Sequence, residues 1–551
     1  MSAPLDAARL RAAWWPRALV AALAGALVAL GFAPYNVWIA PVAGVALFAL
    51  VLWARAGGVP APDNTARAGG VPAPDNTARA GEVSSLRRDL RRVAGLGFIF
   101  GLVMFSMTIA WEVVVASWLP LLLIPFMSLW TLVAAVAIHL VQRLPWWPVW
   151  AACVWLLMEF GAARIPFGGF GWDRLAFTTP DAPWGGFLGF IGAAGSSWVV
   201  ALTGFLLAAA WQARHEWRRL WPPVAAALVL ALVGIGLGRV PVQAPPGSTV
   251  NVGMVQGNVD GSAGRHTMGY ARSVTANHMS ETVTLMARAD ARVDPMPDFV
   301  LWPENSTDID PTVDQGTAQL IDAAQAVAGL PILVGAVMQG PGPGERQTTG
   351  LWWVNGAVSD RYDKRNAVPF GEYTPMKDLV FALVPMAKEV GAQTIPGKKP
   401  GVLNGTLNDG RVIRVGDMIC YELAFDSTVY DTVRNGAQIL VVQSNNSTYT
   451  GTAQPRQQFQ ITRVRAMEMR REIVVSTTSS FSGLIDPYGR VLAKTQEGTA
   501  AAQTFTVPLR TGVSMGVRVG PVLEWVLSAI GLAAVVIAAW QAIRRRQRVE
   551  D

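Results

Sequence analysis

The placement of its apolar runs limits what this chain can fold into more than any other feature. Charge-poor stretches long enough to cross a bilayer as helices, about 17 to 25 residues each, occupy 17–34, 36–53, 93–111, 118–142, 146–162, 187–211, 219–239 and 521–542. Residues 245–515 read instead as a normal globular mixture that can bury its own core. Of the 551 residues, 52% are hydrophobic and only 15% charged, too apolar a balance for an ordinary soluble protein. The expectation is a multi-pass α-helical membrane domain of about eight transmembrane helices. Seven lie within 1–240 and the last at 520–543, after a globular domain at 245–515.

Arginines orient these helices. Arg9, Arg11 and Arg17 precede the first run, which lacks a small-residue cleavage site and so reads as a retained helix with a cytoplasmic N-terminus. Counting crossings from there, three clusters fall on the cytoplasmic side. They are Arg55, Arg67, Arg79, Arg87, Arg88, Arg91 and Arg92 after the second run, Arg214, Arg218 and Arg219 after the sixth, and Arg544, Arg545, Arg546 and Arg548 in the basic tail at 544–551. This matches the excess of Lys and Arg in cytoplasmic loops and places both termini in the cytoplasm and the globular domain outside it. It also accounts for the net charge of +7 without nucleic acid as a partner. The loop after the second run holds a direct repeat, ARAGGVPAPDNT at 54–65 and again at 66–77. Its composition cannot bury a core, so 54–85 is expected to be a disordered linker.

In the globular block, β-rich runs alternate with helix-like stretches. The strands expected are VNVGMVQG (250–257), FVLWPE (299–304), PILVGAVM (331–338), LWWVNGAV (351–358), RVIRVGDMIC (411–420), QILVVQS (438–444) and EIVVSTT (472–478). The helices expected are 271–293, 314–329 and 455–471. Such interleaving indicates an α/β domain, either two packed sheets or one doubly wound sheet, and pattern alone does not separate them. The two cysteines are far apart in kind. Cys153 sits in an apolar run and reads as packing, while Cys420 follows a predicted strand.

Three short segments carry the chemistry: WPENS with Glu304, RYDKRNAVPFGEYTP with Lys364 and Glu372, and GDMICYELAF with Cys420, Tyr421 and Glu422. In this order they resemble the Glu-Lys-Cys motifs of the nitrilase superfamily. Together with VQGN, VRNGAQILVVQSNNS, LIDPYGRVLA and the seven-plus-one helix arrangement, the resemblance narrows to the apolipoprotein N-acyltransferase family and covers nearly the whole chain outside the repeat. One departure follows VQGN, where the family commonly continues to a lysine-tryptophan pair and this chain has VDGSAGRHTMGY.

The resemblance implies a nitrilase-type αββα sandwich in a multi-pass protein of the bacterial plasma membrane. It implies a phospholipid acyl donor, a diacylglyceryl apolipoprotein acceptor and no cofactor. A free thiol is mostly protonated near neutrality, so Cys420 needs a base, and Glu304 in a dry pocket suits that task. Lys364 would then face the oxyanion, helped by the backbone N–H of Tyr421, with Glu372 and Glu422 orienting the lysine and the incoming amine. The same residues leave two rivals: a membrane-tethered amidase acting on water, and a non-catalytic lipoprotein-binding module.

Other signals are weaker. The loop 165–183, entered through Glu159 and Arg164 and containing Trp172, is either a phospholipid-headgroup site or an interfacial anchor. The apolar stretch Leu379 to Met386 is either a membrane-touching lid or core. His139, His215, His266 and His278 lack ligand spacing, so no metal is expected. GVSMG at 512–516 precedes a helix without the strand that a serine-hydrolase elbow needs.

Overall fold

The computed structural model describes residues 14–53, 76–261, 269–383, 388 and 391–550. The bulk of the repeat, residues 54–75, lies outside the described residues, as do residues 384–386 of the apolar stretch.

Seven helices come first: α1 (Trp14–Ala29), α2 (Ala40–Leu52), α3 (Asn76–Thr108), α4 (Leu119–Val141), α5 (Trp147–Ala162), α6 (Leu188–Gln212) and α7 (Trp217–Gly238). An eighth, α13 (Met515–Glu550), follows the globular part and packs against α5 and α6. Each predicted apolar run is a helix. Segments Arg88–Thr108, Leu119–Val141, Pro183–Gln212, Trp217–Gly238 and Met515–Arg544 are long and apolar enough to cross a membrane, whereas α1, α2 and α5 are shorter. One expectation is corrected: residues 76–85, read as part of a disordered linker, form the first turns of α3. Leu121, Leu129, Leu232 and Val536 are exposed on the bundle, a surface suited to lipid chains.

The chain runs up and down the bundle. Arg17 near the start of α1 donates to the carbonyl of Val51 at the end of α2, and His139 near the end of α4 bonds Leu52 O at 2.8 Å, so these termini share one end. The other end carries the globular part.

That part is two sheets packed face to face. The first holds β1 (Thr249–Gln256), β2 (Phe299–Leu301), β3 (Ile332–Gln339), β4 (Glu345–Val354), β5 (Ala357–Asp363), the two-residue β6 (Gln393–Thr394) and β13 (Ala501–Pro508). Its order is β13-β1-β2-β3-β4-β5, with β6 beside β4 and the β1-β2-β3 centre parallel. The second holds β7 (Val402–Thr406), β8 (Val412–Ile419), β9 (Ile439–Ser444), β10 (Ile473–Thr477), β11 (Gly483–Ile485) and β12 (Val491–Lys494) in order β12-β11-β10-β9-β8-β7, again parallel at the centre. Val252, Phe299, Trp352, Val415 and Val441 fill the space between the sheets. The stretch LWWVNGAV, expected to be one strand, is instead a hairpin. Asn355 (φ 52°) and Gly356 (φ 73°) both adopt the left-handed conformation of a tight two-residue turn, with Val354 opposite Ala357.

Helices α8 (Ser273–Asp290) and α9 (Gln315–Ala328) cover the first sheet, through Leu285 and Ile321. Helix α9 starts at an Asp314 cap that accepts from Thr317 N and ends at Gly329 (φ 64°). The short α10 (Lys377–Leu383) lies between β5 and β6, and helices α11 (Asp426–Arg434) and α12 (Gln454–Met469) cover the second sheet, giving four layers in all. The parallel β8-β9-β10 strands are thus covered on both faces, as near-continuous apolar sequences such as ILVVQS require.

Helix α12 lies between the second sheet and the bundle and buries polar side chains on both sides beside the apolar Phe459, Ile461 and Val464. Gln457 Oε1 accepts from the indoles of Trp111 (2.9 Å) and Trp172 (2.8 Å), and its Nε2 donates to Thr108 O (2.9 Å). Gln460 Oε1 accepts from Ala33 N at 2.6 Å. Replacing Gln457 by Leu would leave the Trp172 indole without its acceptor, at a cost of about 1–3 kcal/mol, while the Trp111 indole keeps Thr108 O at 2.6 Å. The expected outcome is a clearly lower thermal midpoint for the detergent-solubilised protein by near-UV circular dichroism, with wild-type secondary structure below it.

Candidate active site

Lys364, one residue beyond β5, is 1% exposed and divides its ammonium between Glu304 Oε1 (2.8 Å) and Glu372 Oε1 (2.9 Å). Glu304 follows β2, and its other oxygen accepts from Asn445 N at 2.8 Å. The second oxygen of Glu372 accepts from Val368 N at 2.7 Å. The loop after β2 sits tightly against β3 because Gly335 has no side chain: a Cβ there would stand 2.1 Å from Pro303 O.

Cys420 ends β8 on the facing sheet, with φ 52° at the start of a 3₁₀ turn, Cys420–Ala424. A left-handed conformation at a non-glycine residue is held only where its surroundings enforce it, and such residues cluster at functional sites. Glu422 supplies much of that enforcement. Its carboxylate accepts from Ile419 N (2.8 Å), Tyr362 Oη (2.7 Å) and Arg365 N (2.6 Å), tying the cysteine turn to the two residues that bracket Lys364. Sequence reasoning expected Glu422 to orient the lysine and the amine; here its hydrogen bonds go to the two loops that carry Lys364 and Cys420.

Sequence reasoning missed the polar bed under the thiol. Cys420 Sγ lies 3.8 Å from Gln458 Oε1 on α12. That oxygen also accepts from Asn446 Nδ2 (2.8 Å) and Gln454 Nε2 (2.9 Å), while Gln458 Nε2 donates to Ser444 Oγ (2.6 Å). The available signal was the density of glutamines in α12.

Burial pushes the Cys420 thiol up to about 12, aided by the Glu304 carboxylate and opposed by Lys364 and a hydrogen bond with Ser444. Burial likewise raises Glu304 above the usual carboxylate range, with Lys364 pulling it back. For Lys364, burial acts against the charge, but the two carboxylates outweigh it and hold the ammonium charged. A thiol near 12 is ionised on the order of one part in 10⁵ at pH 7, so the arrangement favours proton removal during attack over a standing thiolate.

The remaining sequence candidates separate. Trp172 is buried, its ring stacked on that of Tyr421 at 6.0 Å. Glu159 and Arg164 instead enter an ion network. Glu159 accepts from Leu175 N (2.9 Å) and Trp155 Nε1 (3.1 Å) and stands 3.8 Å from Arg174. Arg164 pairs with Glu524 of α13 at 2.6 Å. Neither lines the cavity beside the site. Their partners, contributed in part by a helix 360 residues away, were not legible locally.

That cavity, about 440 Å³, lies between the start of α4, loop 165–170, loop 368–370 and Tyr421. Leu119, Leu122, Phe126, Ile165, Phe170 and Phe370 are among its walls.

Comparison with known proteins divides the chain in the same way. Residues 82–206 match the apolipoprotein N-acyltransferase N-terminal domain and 274–514 match the carbon-nitrogen hydrolase domain. An apolipoprotein N-acyltransferase of Mycolicibacterium smegmatis is 32% identical over 466 residues, covering 81% of this chain and 77% of that protein. That of Nitrosomonas europaea is 26% identical over 96% of this chain and 98% of its own length, and that of Azotobacter vinelandii 24% over 97% and 96%.

The opposing influences on the thiol can be measured. A neutral alkylating agent should modify Cys420 at a rate rising about tenfold per pH unit toward pH 12. Glu304→Gln removes a negative charge that holds the thiol up and should move the profile to lower pH. Lys364→Met should move it to higher pH. Profiles that coincide would separate the thiol from the pair.

Proposed function

The chain belongs to the apolipoprotein N-acyltransferase family, and on that footing we propose that it transfers an acyl chain from a membrane phospholipid, through a thioester on Cys420, to the α-amine of an apolipoprotein's N-terminal diacylglyceryl-cysteine. The observation that carries the lipid donor is the apolar cavity, which runs from helix α4 of the bundle to Tyr421, the residue after the nucleophile. An acyl chain entering from the bilayer can bury itself there with its ester beside the thiol.

In the first half-reaction Glu304 takes the thiol proton as sulfur attacks the ester carbonyl. The oxyanion forms against Lys364 and the backbone N–H of Tyr421, donors already in place in a site with little water. Collapse breaks the ester C–O bond, and the proton on Glu304 passes to the departing lyso-phospholipid oxygen. In the second, the acceptor amine attacks the thioester, Glu304 takes a proton from nitrogen, and the thiol is restored as the amide forms. Glu372 holds Lys364 in register, and Glu422 holds the two loops together. The acid, lysine and cysteine are all supplied by this chain.

The reading extends to topology: eight crossings, the globular domain outside the cytoplasm, and both termini inside. Its support is that Arg88, Arg91, Arg92, Arg214, Arg218, Arg219 and Arg544 lie toward helix ends remote from the sheets, in keeping with the excess of cationic residues in cytoplasmic loops. A membrane-impermeant thiol reagent should label an engineered cysteine at Asp260 in intact cells and one at Arg214 only after lysis. Reversed labelling would overturn the orientation.

With phospholipid and no acceptor, the purified enzyme should release about one lyso-phospholipid per active site as a burst and gain one acyl mass on Cys420. Adding a diacylglyceryl lipopeptide should discharge it as the N-acyl product. Cys420→Ala should give neither burst nor adduct, and acylated lipopeptide formed at a comparable rate by that variant would refute the covalent route.

A further inference from the structure

Among the described residues lining the apolar cavity, Glu112 is the single charged one. It sits in the 3₁₀ turn Ala110–Val114 that joins α3 to α4 and is 5% exposed. Among the described residues its carboxyl enters no hydrogen bond or ion pair. By contrast, Glu304 and Glu372 share Lys364, and Asp426 is held by Arg174 and Arg465. An isolated carboxylate in apolar surroundings is costly. Burial alone pushes Glu112 up to about 8.

A second carboxyl adds to the field. The oxygens of Asp173 are buried with only the Thr108 hydroxyl beside them, and both acids act on the phenol of Tyr421. Tyr449 ties this region to the nucleophile, since its phenol lies within electrostatic range of both Glu112 and Cys420. The cavity therefore holds a buried carboxyl with no cation opposite it among the described residues, within walls that include the rings of Trp118, Phe170 and Tyr421. Aromatic faces also favour a cation.

We propose that Glu112, backed by Asp173, is the receptor for the primary ammonium group of a lipid substrate as it enters the cavity beside Cys420. The inference rests on the acyl-transfer reading and deepens it. A lipid with an ammonium brings the charge that Glu112 lacks, whereas a neutral or anionic headgroup leaves it unpaired. Two substrates offer this chemistry: the acceptor, through the α-ammonium of its lipidated cysteine, and a donor with an ethanolamine headgroup.

Binding measured in the full-length Cys420→Ala protein, where no turnover occurs, separates them. The probes are a diacylglyceryl lipopeptide with a free α-amine, its N-acetylated counterpart, and micelles containing phosphatidylethanolamine or phosphatidylglycerol. Adding Glu112→Gln should weaken binding of one ammonium-bearing probe by about tenfold or more and spare its uncharged or anionic counterpart. Loss for the free-amine lipopeptide identifies the acceptor as the source, and loss for phosphatidylethanolamine identifies the donor. Glu112→Asp, which keeps the charge, should recover much of the preference. If Glu112→Gln leaves all four affinities unchanged, or lowers all four alike, the proposal is wrong. Failure of acyl transfer itself would show separately, as absence of acyl-lipopeptide from the wild-type enzyme.

Discussion

Helix α12 carries Gln454, Gln457, Gln458, Gln460, Arg465 and Glu468 into the interior between the bundle and the second sheet. Buried polar groups are tolerated only when paired, so each of these side chains dictates what must stand opposite it. The partners come from both directions. Gln457 meets the end of α3 and the loop after α5, Gln460 meets the loop after α1, and Glu468 accepts from Ala193 N in α6. Toward the sheet, Gln458 reaches Ser444 and Cys420, and Arg465 donates to Leu423 O in the cysteine turn. Sliding the globular part relative to the bundle would orphan several of these groups together. A polar seam of this kind fixes one relative placement more sharply than an apolar contact, which can slip at little cost.

The residues proposed for the chemistry lie on that seam. Glu304 and Lys364 come from the first sheet, Cys420 from the second, and the polar bed from α12, while Trp172 from the membrane half backs Tyr421. The cavity needs walls from α4 as well as from loop 368–370. Burial raises the thiol and the glutamate together, which leaves the resting site with little standing thiolate. On the proposed function, a thiol so buried is protected from casual electrophiles until a carbonyl arrives within reach of the acid-lysine pair.

The segments carrying Glu304, Lys364 and Cys420 were legible because each is short and lies at a strand end, where local pattern and motif agree, whereas the contact of Glu304 with Lys364 came only with the fold. The parallel strands were visible as apolar runs because both of their faces are covered. The hairpin at Asn355-Gly356 carried its own turn signal, and treating LWWVNGAV as one strand overlooked it. By contrast, Arg164 read as part of either a phospholipid-headgroup site or an interfacial anchor. Its partner Glu524 stands 360 residues away on α13. Gln458 gave no local sign of serving Cys420, since a glutamine in a polar helix reads as solvent-facing until a sheet and a bundle are placed on either side.

Sequence alone determined the apolar runs, their arginine-marked ends, the α/β alternation of the globular block and the three motif segments, because each depends on residues close together in the chain. Tertiary structure decided that the block is two face-to-face sheets, that Glu422 binds two loops to each other, that α12 is a buried polar helix, and that, among the described residues, Glu112 meets no cation in the cavity. These depend on which distant segments meet. Burial and pairing of a charged or amide group are properties of its surroundings, and the surroundings exist only once the chain has folded.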